Sequence, residues 1–484
     1  MNLRGKMSEF LILQFPALIV LIPIIFAVTI LVASNRNFAN IGFVLSNIIC
    51  FILICYFSLN YQNESIYSFG NWQESVAINF KTDAISLYIL SLIYFVMFIY
   101  SIFLSGCFKD NCENLISNSK KHLPYVLMLF VLGGYGGLVL TNDIFNLYVF
   151  LEISSLASYP LFAISKDRNA YVSAFEYLII GTIGATLILV AIGIILATYG
   201  TLNLDVVKMN FMNVNSNIAE IIFIVGVLIK LGVFPMHIWK TKSYTDSSSL
   251  ISCFFISISS LVFIAIIYKF RFFLLNLNYN QEIILRIIAY LTLVFGGYFA
   301  IITTNYREII LFSLVSSVGY YILLLPFEHK YQVDLLVQFL FIESLIKLGL
   351  MMVPVLVSKD NLSIRDLINI SKKNKYIAFI LMVLLFNLAS LPPSILFFNK
   401  LYFIKEAMRD NYTDIIPILI SSVMGIIYSL RIARQMVKTS ELEYPIKVRI
   451  APLFGLLIID IILIFALALT PYFLSLSSII INGV

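Results

Sequence analysis

Apolar runs of about twenty residues recur from one end of this chain to the other, each long enough to cross a roughly 30 Å hydrocarbon core as a helix. In lipid a backbone must satisfy its own polar groups, and runs this long and this apolar do so as α-helices. The pattern predicts an all-α, polytopic membrane protein of about fourteen transmembrane helices. The expected limits are Phe10–Ala33, Ile41–Leu59, Ala84–Leu104, Leu123–Leu140, Ile144–Ile164, Ala174–Tyr199, Ile218–Trp239, Leu250–Phe270, Ile283–Thr303, Ile309–Pro326, Leu335–Val357, Ile377–Phe398, Ile415–Ile432 and Ile450–Leu474. The first run is too long for a signal-peptide core and lacks a small-residue cleavage site, so it reads as a retained span. The longest intervening segments, Asn60–Asp83, Cys107–His122 and Ser358–Lys375, are too short to hold a separate catalytic domain.

Composition narrows the function classes. Only 12% of the 484 residues are charged, against about 25% in an ordinary soluble domain. The net charge of +6 is spread over short loops and gives nucleic-acid binding no support. Five cysteines without a Cys-x-x-Cys pair, and three histidines, argue against an iron–sulfur centre. A Cys107–Cys112 disulfide is open, with free thiols the simpler reading. There is no phosphate loop and no dinucleotide fingerprint. The glycine-rich "GGYGGL" at Gly133–Leu138 lies inside a span and suits close helix packing. The expectation is no catalytic chemistry, no cofactor and no metal in this chain.

Lys and Arg sort asymmetrically. With the N-terminus outside, the inner loops hold about twice as many as the outer ones, among them Lys109, Lys120, Lys121, Arg365, Lys372, Lys373, Lys375, Arg431, Arg434, Lys438, Lys447 and Arg449. Both termini are therefore expected on the outer side. Lys230, Lys347, Lys400 and Arg286 belong to no loop.

Lys230 and Lys347 lie within predicted spans and Lys400 at the edge of one, joined by Glu152 and Glu343. Each such charge costs about 2.5–3.5 kcal/mol at a helix centre on insertion scales, so these residues are expected to face the bundle interior or a wet cavity. Glu152 follows Asp143, which resembles a helix N-cap; a structural ion pair would also explain it. Glu343 and Lys347 stand four apart with Glu first, the favourable order on one helix face. That pair suits a structural salt bridge as well as an ion relay. Lys400 lies nearer a helix end, where snorkelling is the alternative.

Two of the lysines adjoin backbone breakers. Pro235 falls five positions after Lys230, with Gly232 between; Pro392 and Pro393 shortly precede Lys400. Proline removes a helix donor, and in transporters broken helices mark the ion site. Breaks in corresponding halves suggest an internal repeat of about five spans. Burial favours a neutral lysine and a nearby carboxylate favours a charged one, so moving or protonating the acid switches the lysine between holding and releasing a proton. A string of such groups is a proton relay, in which Glu152 is expected to tune Lys230.

The stretches "TNDIFNLYVFLEISSLASYPL", "EYLIIGTIGATLILVAIGIILATYGTLNL", "LIKLGVFPMHIWKTKSYTDSSS", "LFSLVSSVGYYILLL" and "LASLPPSILFFNKLYF" resemble the antiporter-like membrane subunits shared by respiratory complex I and the multisubunit Mrp-type cation/proton antiporters. The resemblance runs from about Leu123 to about Phe403. It implies two inverted five-helix repeats with discontinuous helices near Pro235 and Pro392. The corresponding organisation is residues 1–122 for helices 1–3, 123–270 and 271–435 for the two repeats, and 436–484 for helix 14. Glu152 is similar to the family's fifth-span glutamate, Lys230 to its paired seventh-span lysine, and Lys400 to its twelfth-span terminal proton carrier. A lysine at this last place resembles the N-type branch of complex I and the D-type branch of the Mrp antiporters. No long lateral helix of the L type is expected.

The chain also departs from the family. Ser260 in "FISISSLVFI" stands where an eighth-span lysine is usual, Glu343 where a histidine is usual, and Asp246 where a small apolar residue is usual; Lys347 matches. The resemblance implies a proton-translocating subunit of a hetero-oligomeric complex in a bacterial plasma membrane. The host is either a Na+/H+ antiporter, with the chain as its D-type subunit, or a proton-translocating NADH-quinone oxidoreductase. Moving one charge across 100 mV costs about 2.3 kcal/mol, so partner subunits or a counter-ion such as Na+ must supply the energy. The alternative is a structural subunit that kept the fold and lost conduction, for which Ser260 speaks. A stand-alone solute carrier is disfavoured by the sparse intramembrane charge.

Overall fold

The predicted spans fall on helices: α1 (Leu3–Ala33), α2 (Arg36–Leu59), α3 (Ala84–Lys109), α4 (Leu123–Leu140), α5 (Ile144–Phe162), α6 (Arg168–Tyr199), a short α7 (Leu204–Asn210), α8 (Asn217–Leu231), α9 (Ile238–Asp246), α10 (Ser249–Lys269), a short α11 (Arg271–Leu275), α12 (Tyr279–Ile302), α13 (Tyr306–Leu324), α14 (Lys330–Leu356), α15 (Lys375–Leu388), α16 (Ile395–Asp410), α17 (Ile415–Val437) and α18 (Leu453–Ile464). A computed structural model describes residues 3–60, 64–71, 78–109, 121–165, 167–210, 217–275, 279–324, 330–357, 359–368, 374–438 and 453–464. Cys112 lies outside the described residues, as do Lys120, Lys372, Lys373, Lys447 and Arg449 of the basic loop set.

Among the described residues ten helices are long and apolar enough to cross a membrane alone. Of the remaining expected spans, two are each divided into a pair of shorter helices. One, α13, carries Arg307, Glu308 and three serines, and the last extends outside the described residues. Local chemistry sets several boundaries. Asp143 Oδ1 accepts from the Asn146 N–H at 2.7 Å and caps α5, as the sequence suggests. Gly200, at φ 69°, closes α6 in the left-handed region that glycine tolerates best.

Burial separates centre from periphery: 94% of the apolar stretch of α10 and of α14 is buried, against 39% for α6 and α12. Glu343 and Lys347, which lie in that stretch of α14, are therefore enclosed by protein. Small residues let the inner helices approach. In the glycine-rich stretch of α4, a Cβ on Gly134 would lie 2.9 Å from Ser154 Cβ and 3.1 Å from Phe150 O, both on α5. We expect Gly134→Val to lower stability by about 1–3 kcal/mol through overpacking, read as a lower unfolding midpoint in detergent with helical circular dichroism retained at low temperature.

Two sets of five spans repeat one plan. In the first (α4, α5, α6, α8–α9, α10), the Ile144 N–H donates to Leu202 O and the Leu204 N–H to Asn142 O, both at 2.9 Å. In the second (α12, α13, α14, α15–α16, α17), the Tyr306 N–H donates to Leu362 O at 2.9 Å and the Ile364 N–H to Thr304 O at 3.0 Å. Lys269 near the end of the first set donates to Thr141 O at 2.6 Å; Arg431 in the second donates to Thr303 O at 2.9 Å. Thr141, Ile144 and Lys269 precede Thr303, Tyr306 and Arg431 by the same number of residues. If each set crosses a bilayer five times, an odd number, the two copies run in opposite directions.

The breaks match as well. Between α8 and α9, Gly232 has φ 74° and its N–H donates to Ile229 O at 3.1 Å; between α15 and α16, Ser390 has φ 51° and its N–H donates to Asn387 O at 2.9 Å. The Phe234–Pro235 and Pro392–Pro393 bonds are both cis. The discontinuities thus lie where the prolines place them. Arg286, the remaining charge outside loops, joins α12 to the start of α17 by pairing with Glu282 at 2.7 Å and buried Asp414 at 2.5 Å.

Candidate functional site

The break after α8 exposes carbonyls that a continuous helix would have used, and the chain folds back to meet them. Trp239 Nε1 donates to Ile229 O and Lys240 Nζ to Leu231 O, both at 3.1 Å. Gly232 is needed twice here, for its positive φ and because a Cβ would lie 2.9 Å from Lys240 Cδ.

Lys230 sits in the last turn of α8 and is 2% exposed. Its Nζ donates to Ser155 Oγ at 3.0 Å, across to α5. Glu152 lies three residues before Ser155 on the same helix, half-buried, with Oε1 buried and unpartnered. The acid and the lysine form no direct ion pair; Lys230 instead bonds Ser155, one turn along α5 from Glu152. A cavity of about 20 Å³ adjoins this group, bordered by Lys230, Lys240, Ser154, Ser155, Tyr177 and Ser259. A space of this size and polarity accommodates about one water.

The second repeat carries different charges. Lys347 on α14 is 1% exposed and pairs with Glu343 at 2.5 Å, with Ser317 Oγ accepting at 2.6 Å. Glu343 also accepts from the Ser317 and Tyr321 hydroxyls on α13. The i,i+4 pair expected from sequence is therefore present, buried and fully bonded. Lys400 on α16 is half-buried, its Nζ 5.3 Å from the centre of the Tyr320 ring, where a cation–π attraction holds it. Tyr320 is the neighbour of Tyr321, so α13 connects Lys400 to the Glu343–Lys347 pair. Pro235, Pro392 and Pro393 lie in the two breaks. Ser260 is buried on α10, and Asp246 ends α9, half-buried.

Two buried cations escape a reading by span. Lys240 falls one residue beyond the expected end of the seventh span, although it is 2% exposed. The sequence does hold a signal for it: a helix broken near Pro235 must resume and continue past Trp239 to complete its crossing. Arg307 is fully buried and donates to Tyr244 O at 2.5 Å, Ser247 O at 2.7 Å and Ser252 Oγ at 2.6 Å. It ties the start of α13 to the end of α9, joining the repeats; nothing local to "TTNYREIIL" announces that. Among the described residues no group of three or more His, Cys, Asp or Glu side chains is placed to hold a metal ion.

Comparison with known proteins agrees with this architecture. A family profile described as NADH:quinone oxidoreductase/Mrp antiporter, TM matches residues 141–425. The N subunit of the NADH-quinone oxidoreductase of Desulforudis audaxviator is 29% identical over 318 residues, 64% of this chain and just under two thirds, 63%, of that protein. The D-type subunit of the Na(+)/H(+) antiporter of Alkalihalophilus pseudofirmus is 26% identical over 365 residues, 73% of this chain and 72% of that one. Among solved structures, a chain of an archaeal membrane-bound sulfane sulfur reductase superposes with a TM-score of 0.86 at 21% identity, covering 97% of both chains. A chain of the Mrp complex from a Dietzia species gives a TM-score of 0.86 at 17% identity, covering 98% of this chain and 97% of that one. A chain of respiratory complex I from Thermus thermophilus gives 0.77 at 18% identity, covering 94% and 98%. With the family match spanning more than half of its length, the chain belongs to the NADH:quinone oxidoreductase/Mrp antiporter transmembrane family.

Proposed function

We propose that this chain is the proton-translocating subunit of a hetero-oligomeric complex in a bacterial plasma membrane, with both termini on the outer side. Protons pass along Glu152, Lys230, the Glu343–Lys347 pair and Lys400. The observation that carries the proposal is Lys230, an amine buried at a helix break whose hydrogen-bond partner is a neutral serine one turn from the Glu152 carboxylate on α5, beside a cavity the size of a water. A buried lysine held in this way can exist in either protonation state, which a purely structural lysine has no need to do. The polar residues cross from the first repeat to the second, as a path through the bundle requires. The relatives named above belong to an oxidoreductase and to a Na(+)/H(+) antiporter, and the driving reaction comes from partner subunits of one of these kinds.

Inverted vesicles from cells lacking the chain are expected to lose the proton gradient that the intact complex builds, and to regain it on complementation. A gradient unchanged by the deletion would refute the proposal. Co-purification from the native membrane then separates the hosts: flavin- and iron–sulfur-bearing partners indicate the oxidoreductase, small hydrophobic subunits alone the antiporter.

A further inference from the structure

Lys240 is a deeply buried charge that the path above does not use. It stands ten residues after Lys230 but on the other side of the break, and its side chain turns back so that Nζ reaches Leu231 O. It is as buried as Lys230, and both border the same small cavity. The hydroxyls of Ser154, Ser155, Tyr177 and Ser259 on that cavity supply the polar partners that a bridging water needs. Tyr244 borders the same cavity, its ring centre 6.0 Å from Lys240 Nζ, and its hydroxyl faces Ser259 Oγ at 3.5 Å.

Hydrogen bonds between helices carry the arrangement on toward the second repeat. Arg307 at the start of α13 holds the end of α9, the helix of Lys240, through Tyr244 O and Ser247 O, and Ser317 further along α13 accepts from Lys347. Lys240 thus lies on the helix that meets the second repeat. α10, which lies at the centre of the bundle, offers serines there, with Ser260 at the place where the family resemblance leads one to expect a basic residue.

We propose that Lys240 carries the proton from Lys230 toward the Glu343–Lys347 pair, taking the place of the basic residue expected where α10 has Ser260. In this step the Lys230 ammonium gives a proton to the cavity water, the water gives one to the neutral Lys240 amine, and Lys240 later releases it toward Lys347. No charge is created or lost beyond the moving proton. The proposal rests on the relay reading of the preceding subsection. The rival role, a tie that merely satisfies Leu231 O, requires only a hydrogen-bond donor.

Lys240→Gln separates the two, because an amide can donate to Leu231 O but cannot take up and release a proton. In vesicles carrying the intact complex, Lys240→Gln is expected to assemble normally and to lose proton flux by about tenfold or more. Adding Ser260→Lys in the same chain is expected to restore a substantial part of that flux. Flux close to wild type in Lys240→Gln would overturn the proposal, as would a loss of flux that only follows loss of assembly. Lys230→Met, measured alongside, isolates the underlying reading: if it too transports normally, the relay itself fails, whereas normal transport in Lys240→Gln alone refutes only the role of Lys240.

Discussion

Lys230→Met is expected to abolish proton movement, by about a hundredfold or more, while leaving the complex assembled. Methionine fills nearly the same volume, and volume-conserving exchanges in a packed interior cost less than about 1.5 kcal/mol. Among the described residues the hydrogen bond lost is the one to Ser155, whose hydroxyl borders the polar cavity and can turn to water. Lys230→Arg sharpens the result. Arginine keeps the positive charge but does not give up its proton in a protein, so a role in electrostatics or packing alone would survive the change and a role in exchange would not. Proton flux in vesicles, set beside the amount of assembled complex, reads both variants.

Lys347→Ala is expected to be damaging in a different way. It leaves Glu343, 6% exposed, without its cation at the centre of the bundle. Breaking a buried pair by removing one partner costs about 3–5 kcal/mol, so the variant should be recovered in reduced amount with a clearly lower unfolding midpoint. Ser317 and Tyr321 keep donating to the carboxylate and hold part of its bonding. The double change Glu343→Gln with Lys347→Met removes both charges and should recover much of the stability, since it leaves no uncompensated charge buried. Flux should stay low. Recovery of both flux and stability would mark the pair as a structural salt bridge.

The contrast between these two lysines shows how far sequence alone reaches. Glu343 and Lys347 are legible as a pair because four residues on one helix fix their separation. Glu152 and Lys230 lie on different helices, and only the packing of α5 against its neighbours decides that Lys230 bonds Ser155 rather than the acid one turn away. The breaks at Pro235 and Pro392 are legible from proline chemistry, but a broken helix resumes on a shifted course. A hydropathy limit at Trp239 consequently leaves Lys240 outside a span that the chain has not finished crossing. Arg307 acts wholly through tertiary contacts with α9 and α10. The repeat shows the same limit. Its hydrogen bonds match pair for pair, yet Lys269 is answered by Arg431 and Gly232 by Ser390, so the kinship lives in geometry rather than in residue identity.

The most direct test of the account is proton flux through vesicles bearing Glu152→Gln, an isosteric change that removes one negative charge and one site of proton exchange. With the complex assembled in normal amount, flux near background is the result predicted. Flux equal to wild type would contradict the claim that this half-buried carboxylate and the lysine beside it move protons.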